Sequence, residues 1–181
     1  MTGKLTQIRD LRWEEVFLFW YQNEGHNENW QNLARDRGFA SWADWRLQSY
    51  AQPFDCPGAD WALYRIENPA EFFSSCFGGP FRTWVDKYYD GQPTKTFSEL
   101  INNPELIQKE AVQKMQTDFP VGSVICCLEV GAEIFVIEGM HRACALALMY
   151  KNGHELSQPI TIAIGQSKLT TLPIVGKNTS S

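Results

Sequence analysis

IFVIEGMHRACALAL, residues 134–148, changes its hydrophobic rhythm at a single glycine. Before Gly139 the residues Ile134 to Ile137 are branched or aromatic, which suits a strand. After it, the alanine- and leucine-rich run from His141 to Tyr150 suits a helix that Gly153 stops. A strand that feeds through a glycine into a helix leaves the first helical amides without partners, and the helix dipole adds positive potential there. Anions bind at such ends. Arg142 can grip a phosphate in a bidentate manner, His141 can donate a hydrogen bond, and Gly139 admits a ligand close to the backbone. Glu138 is placed to hold a metal ion, to act as a base or to bond a ligand hydroxyl. The plainer reading of the same string is a helix start in which Glu138 simply pairs with Arg142, and a short Gly-x-His-Arg string is a weak signal on its own.

Upstream, SVICCLEV and EIFVIE are separated only by Gly131-Ala132, a pair that suits a tight II′ hairpin turn between antiparallel strands. Downstream, Ile160 to Ile164 reads as a further strand, with Leu172 to Val175 as an edge piece limited by Pro173. WALYRI, residues 61–66, is another strand, closed by Asn68-Pro69. The stretch from Phe72 to Trp84 predicts a short helix and an ordered turn in which Arg82 is the cation. Thr96 with Glu99 forms a capping-box pattern, and Asn103-Pro104 starts a helix running to about Thr117.

The N-terminal third reads as helical. One helix spans Leu11 to Tyr21 with Asp10 as its N-cap; a second follows Asn27 and stops at Gly38; a third starts at Ser41 with Asp44 three residues on. The fold class is therefore α+β: a helical N-terminal subdomain, residues 1–58, packed on an α+β domain, residues 59–176, with a disordered tail at 177–181.

A chain of 181 residues suffices for one domain, and an aromatic share of 13% with seven Trp predicts a core dominated by rings. Trp13, Trp20, Trp30, Trp42 and Trp45 read as core, the alternatives being a ligand groove or a protein-partner interface. A net charge of -5 supplies no broad positive field, so nucleic acid is not an expected partner. The cysteines Cys56, Cys76, Cys126, Cys127 and Cys144 form no C-x-x-C pair and have no His at ligand spacing, so no metal site is expected of them. Cys126 and Cys127, adjacent in a strand, should point to opposite faces as small apolar packing groups. His26 and His154 fall in polar loops. No secretory core or membrane-spanning stretch is legible, and a reducing cytoplasm fits the free cysteines.

The run IFVIEGMHRACALAL, with its glycine-ended helix and the strand PITIAI after it, resembles the signature of the ParB/sulfiredoxin-like superfamily over about the last third of the chain. That resemblance implies a small mixed sheet flanked by helices and a turn, Gly139, Met140, His141 and Arg142, that binds nucleotide phosphates; Arg82 could reach across to the phosphate as a second clamp, the alternative being a surface arginine stacked on Trp84. Gly139, His141 and Arg142 match the Gly-Cys-His-Arg motif of sulfiredoxin, but Met140 stands where the essential cysteine would be. A thioether has no ionisable S–H, so sulfinic-acid repair through this turn is excluded. Gly139 and Arg142 also match the outer positions of the Gly-Glu-Arg-Arg motif of ParB partition proteins, but the sequence after Ile164 leaves no room for their helix-turn-helix domain. Closer in form is the (Asp/Glu)-Gly-His-x-Arg turn of small-molecule kinases of this superfamily, which Glu138, Gly139 and Arg142 match with His141 displaced by one position. The resemblance thus implies ATP, ADP or CTP with Mg²⁺ as cofactors, and Glu138 and His141 as candidate catalytic residues for phosphoryl transfer or nucleotide hydrolysis if the protein is an enzyme. The competing class is a non-catalytic protein-interaction module using the aromatic N-terminal helices. A third is a ParB-like nuclease cutting single-stranded DNA through Glu138.

Overall fold

Residues 4–176 are described by a computed structural model, and the expected tail at 177–181 lies outside the described residues. The segment expected to be helical begins instead with a strand, β1 (Leu5–Leu11), which pairs antiparallel with β2 (Asp60–Ile66). The register slips between Gln7 and Arg9, a bulge that leaves Ile8 unpaired on an exposed edge. Asp10 lies opposite Ala62 in this ladder, so it is not a helix cap. The first helix, α1 (Trp13–Trp20), starts after Arg12, whose amide donates to the Glu15 carboxylate at 2.8 Å. It runs on into a π-helical turn, Tyr21–Gly25. Asn27 caps α2 (Glu28–Asp36) and Ser41 caps α3 (Trp42–Arg46), as their side chains predict, and a second π-helical stretch, Leu47–Ala51, extends α3.

Between β2 and the hairpin lie α4 (Pro69–Ser75), the two-residue strand β3 (Phe77–Gly78), α5 (Arg82–Tyr88) and α6 (Phe97–Leu100), the last held by the Thr96–Glu99 capping box. The single helix expected from Pro104 to about Thr117 is two, α7 (Pro104–Ile107) and α8 (Glu110–Met115). Lys109 between them takes an extended conformation, and the Gln113 side chain donates to the Ile107 carbonyl at 2.6 Å, satisfying an acceptor that a continuous helix would have used. The hairpin β4 (Ile125–Val130) and β5 (Glu133–Glu138) then leads through Gly139 into α9 (Met140–Lys151), and β6 (Ile160–Gln166) follows.

The strands form one mixed sheet in the order β1-β2-β6-β4-β5-β3, with β6 parallel to β4 and β3 parallel to β5. The expected edge piece at 172–175 reduces to a parallel bridge between Val175 and Phe81. Residues alternate across the sheet into two cores. Ile125, Cys127, Val136 and Ile162 face α4, α6, α7, α8 and α9, whereas Cys126, Leu128, Ile137 and Ala163 face the N-terminal helices. The protein is thus α+β, with helices on both faces of a six-stranded sheet. Trp20, Trp42 and Trp45 are buried in the second core, and of the five tryptophans before Pro53 only Trp30 is exposed. Among the described residues no helix is long and apolar enough to cross a membrane.

Candidate functional site

β5 carries an extra residue opposite β4 just before its end, because Cys126 pairs with Glu138 but Cys127 with Val136. This bulge bends the strand into Gly139, whose φ of 98° only glycine adopts without strain. A Cβ there would sit 2.9 Å from Arg142 Nη2 and 3.1 Å from the Ile125 side chain, so the glycine also makes room for the guanidinium. The α9 helix starts without a side-chain cap, and among the described residues no protein acceptor bonds the amides of Met140, His141 and Arg142.

Arg142 folds back over this turn. Its Nη2 donates to both Glu138 oxygens at 2.7 Å, and its Nη1 donates to Ser123 Oγ at 2.7 Å and to the Val124 carbonyl at 3.3 Å. Asn23, from the first π-helical turn, donates to Glu138 Oε2 at 3.0 Å and to the same Val124 carbonyl. The plainer reading of the sequence therefore describes Arg142: its terminal nitrogens are engaged by protein, which leaves Nε for any ligand. Burial raises the Glu138 carboxyl above its ordinary range; the Arg142 charge opposes this and the neighbouring Glu24 reinforces it. Glu24 forms its own pair with Arg46.

Met140 turns its side chain into the core against Gly78, so only its amide faces the turn. His141 packs its ring on Trp84 at 5.3 Å and makes no hydrogen bond among the described residues. Burial, with the Lys109 charge, pushes its pKa down to about 4, so the ring is neutral at pH 7. The folded chain then binds fewer protons than the unfolded chain between about pH 6.5 and 4, and stability should fall by roughly 1–3 kcal/mol as pH is lowered through that window. His141→Phe should flatten this part of the pH–stability curve measured by urea unfolding; an unaltered slope would show that the imidazole is not titrating in the fold.

These groups line one cleft of about 1280 Å³ between the N-terminal helices, α5, α8 and the start of α9. Its walls carry six cations, Arg37, Arg46, Arg82, Lys87, Lys109 and Arg142, against three carboxylates, Glu24, Asp86 and Glu138. Once Glu24–Arg46 and Glu138–Arg142 are set aside as pairs, four cations face one carboxylate, in a chain whose net charge is -5. Among the described residues Arg82 has no ion-pair or stacking partner; Trp84, on which it could have stacked, packs instead on Tyr88 and His141. Arg82 and the α9 turn thus share a cleft, and Arg37, Lys87 and Lys109 join them from elements that no local motif marks.

The donor set does not suit a Mg²⁺ ion held by Glu138, since both of its oxygens already accept hydrogen bonds from Arg142 and Asn23. Among the described residues no group of three or more His, Cys, Asp or Glu could hold a metal ion. No protein family, curated protein or solved structure matches this chain.

Proposed function

We propose that the cleft binds a phosphorylated ligand of the nucleotide type, with its phosphates against the first amides of α9 and the guanidinium of Arg82. The observation that carries this reading is the surplus of cations without a carboxylate partner in a cleft that also holds an uncapped helix start, in an otherwise acidic protein. Lys109 adds charge beside His141, Lys87 adds charge to the cleft wall, and Trp84 offers a ring for a base to stack on. Arg142 acts as a positioning residue, fixing Glu138 and the turn. The order hairpin, glycine turn, helix, parallel strand supports membership of the ParB/sulfiredoxin-like superfamily as part of this proposal. Any Mg²⁺ enters with the ligand's phosphates, and phosphoryl transfer would require Glu138 to exchange its bond to Arg142 for one to the ligand.

Calorimetric titration with ATP, ADP, CTP and inorganic phosphate, with and without Mg²⁺, tests the reading. At least one nucleotide should bind, and Arg82→Ala should weaken it about tenfold or more, the loss expected for one charge-assisted contact. Phosphate release on prolonged incubation separates turnover from binding. Absence of heat and of thermal stabilisation with every nucleotide would discard the proposal.

A further inference from the structure

The phosphate site accounts for one end of the cleft. Resting on that reading, we propose that the occupant is a dinucleotide, two nucleosides joined through a pyrophosphate, with one ring system on each side of Arg82. Size is the first argument. Sites for single small ligands occupy about 300–1,000 Å³, and this cleft is about 1280 Å³.

The arrangement of rings is the second. On one side, ring contacts run from Trp30 to Trp45, from Trp45 to Tyr50 and from Tyr50 to Phe81, with centroids 5.9, 5.8 and 5.6 Å apart. On the other, Trp84 lies against His141 at the start of α9. Phe81, Arg82 and Trp84 all line the cleft, so both ring groups and the cation share its wall. Trp30 is 37% exposed and is held by the Arg46 guanidinium, 4.9 Å from its ring centroid, so it offers a base a prearranged surface.

Tyr50 supplies an independent pointer. It lines the cleft and is only 8% exposed, yet its hydroxyl has no hydrogen-bond partner among the described residues. The hydroxyl itself is open to the cleft, since among the described residues the buried side-chain atoms without a partner are Trp20 Nε1 and Tyr88 Oη, so it is free to bond a ligand there. This hydroxyl and the Arg82 Cβ lie 3.7 and 3.6 Å from the point where a Cβ on Gly176 would sit, which makes them neighbours. A hydroxyl of the ribose that carries the second base, beyond the phosphates held by Arg82, would take the bond that the Tyr50 hydroxyl offers. The local cation surplus suits a short dianion, while the net charge of -5 opposes a long polyanion.

The test is titration of the full chain with ADP, with diadenosine diphosphate and with single-stranded tetraadenylate. The dinucleotide should bind about tenfold or more tighter than ADP, the scale of one additional base–aromatic stack. Tyr50→Phe and Trp30→Ala should each remove most of that advantage and leave ADP affinity unchanged. Tyr50→Phe keeps the ring packing, so it decides the matter even if Trp30→Ala unfolds. Equal affinity for ADP and dinucleotide, or variants that weaken both alike, would overturn the dinucleotide and leave the phosphate site standing. Failure of both to bind would overturn the two proposals together, and tighter binding of tetraadenylate would overturn the dinucleotide in favour of a nucleic acid strand.

Discussion

Arg142→Ala should lose about 3–5 kcal/mol of folding free energy, because it strands a buried carboxylate rather than removing a surface charge. Side chains of the pair are only 10% and 11% exposed, and the guanidinium makes four hydrogen bonds to three residues. For a chain of this length the midpoint should drop by about 10 °C. Without the opposing charge, burial lifts the Glu138 carboxyl further, so the folded variant keeps a proton that the unfolded chain releases. The deficit relative to the parent should therefore grow as pH rises from the ordinary carboxyl range through the raised value, and be larger at pH 8 than at pH 5. Replacing both partners, Glu138→Leu with Arg142→Leu, should recover much of the loss. Urea unfolding at the two pH values measures all three; a deficit below about 1 kcal/mol and independent of pH would mean that solvent screens the pair.

Trp45→Ala should cost a similar amount, about 3–5 kcal/mol, by opening a cavity in the core between the sheet and the N-terminal helices. Trp45 is 1% exposed, touches the rings of Trp30 and Tyr50, and carries the guanidiniums of Arg46 and Arg37 at 4.2 and 5.0 Å from its ring centroid. Its loss should also loosen Arg46, so part of the cost is that of the Glu24 pair. Trp45→Phe should retain a good part of the stability, since one ring remains for the arginines to face. Chemical unfolding of the two variants compares them, and a loss under about 1 kcal/mol for alanine would mean that the ring cluster does not act as a core.

The elements legible in the sequence are those with local punctuation. Gly131, Gly139 and Gly153 all have positive φ and mark the hairpin, the turn and the end of α9, and Asn27, Ser41, Thr96 and Asn103 cap the helices that follow them. β1 was illegible because residues 6–10 are all exposed, so an edge strand with no buried face shows no alternation. The break at Lys109 lacks glycine or proline, so no local punctuation marks it. The Glu138–Arg142 pair was open to sequence reading, being four residues apart on one turn. Asn23, 115 residues from Glu138, was not, and neither were Lys109 or Tyr50, because only the fold brings them to the cleft.

The position of β6 has a consequence for biosynthesis. This strand joins β2 on one side to β4 on the other, yet it is synthesised after both. Until residue 166 has left the ribosomal tunnel, the growing polypeptide holds two half-sheets with open edges and no seam between them, a state in which a chaperone would find its substrate.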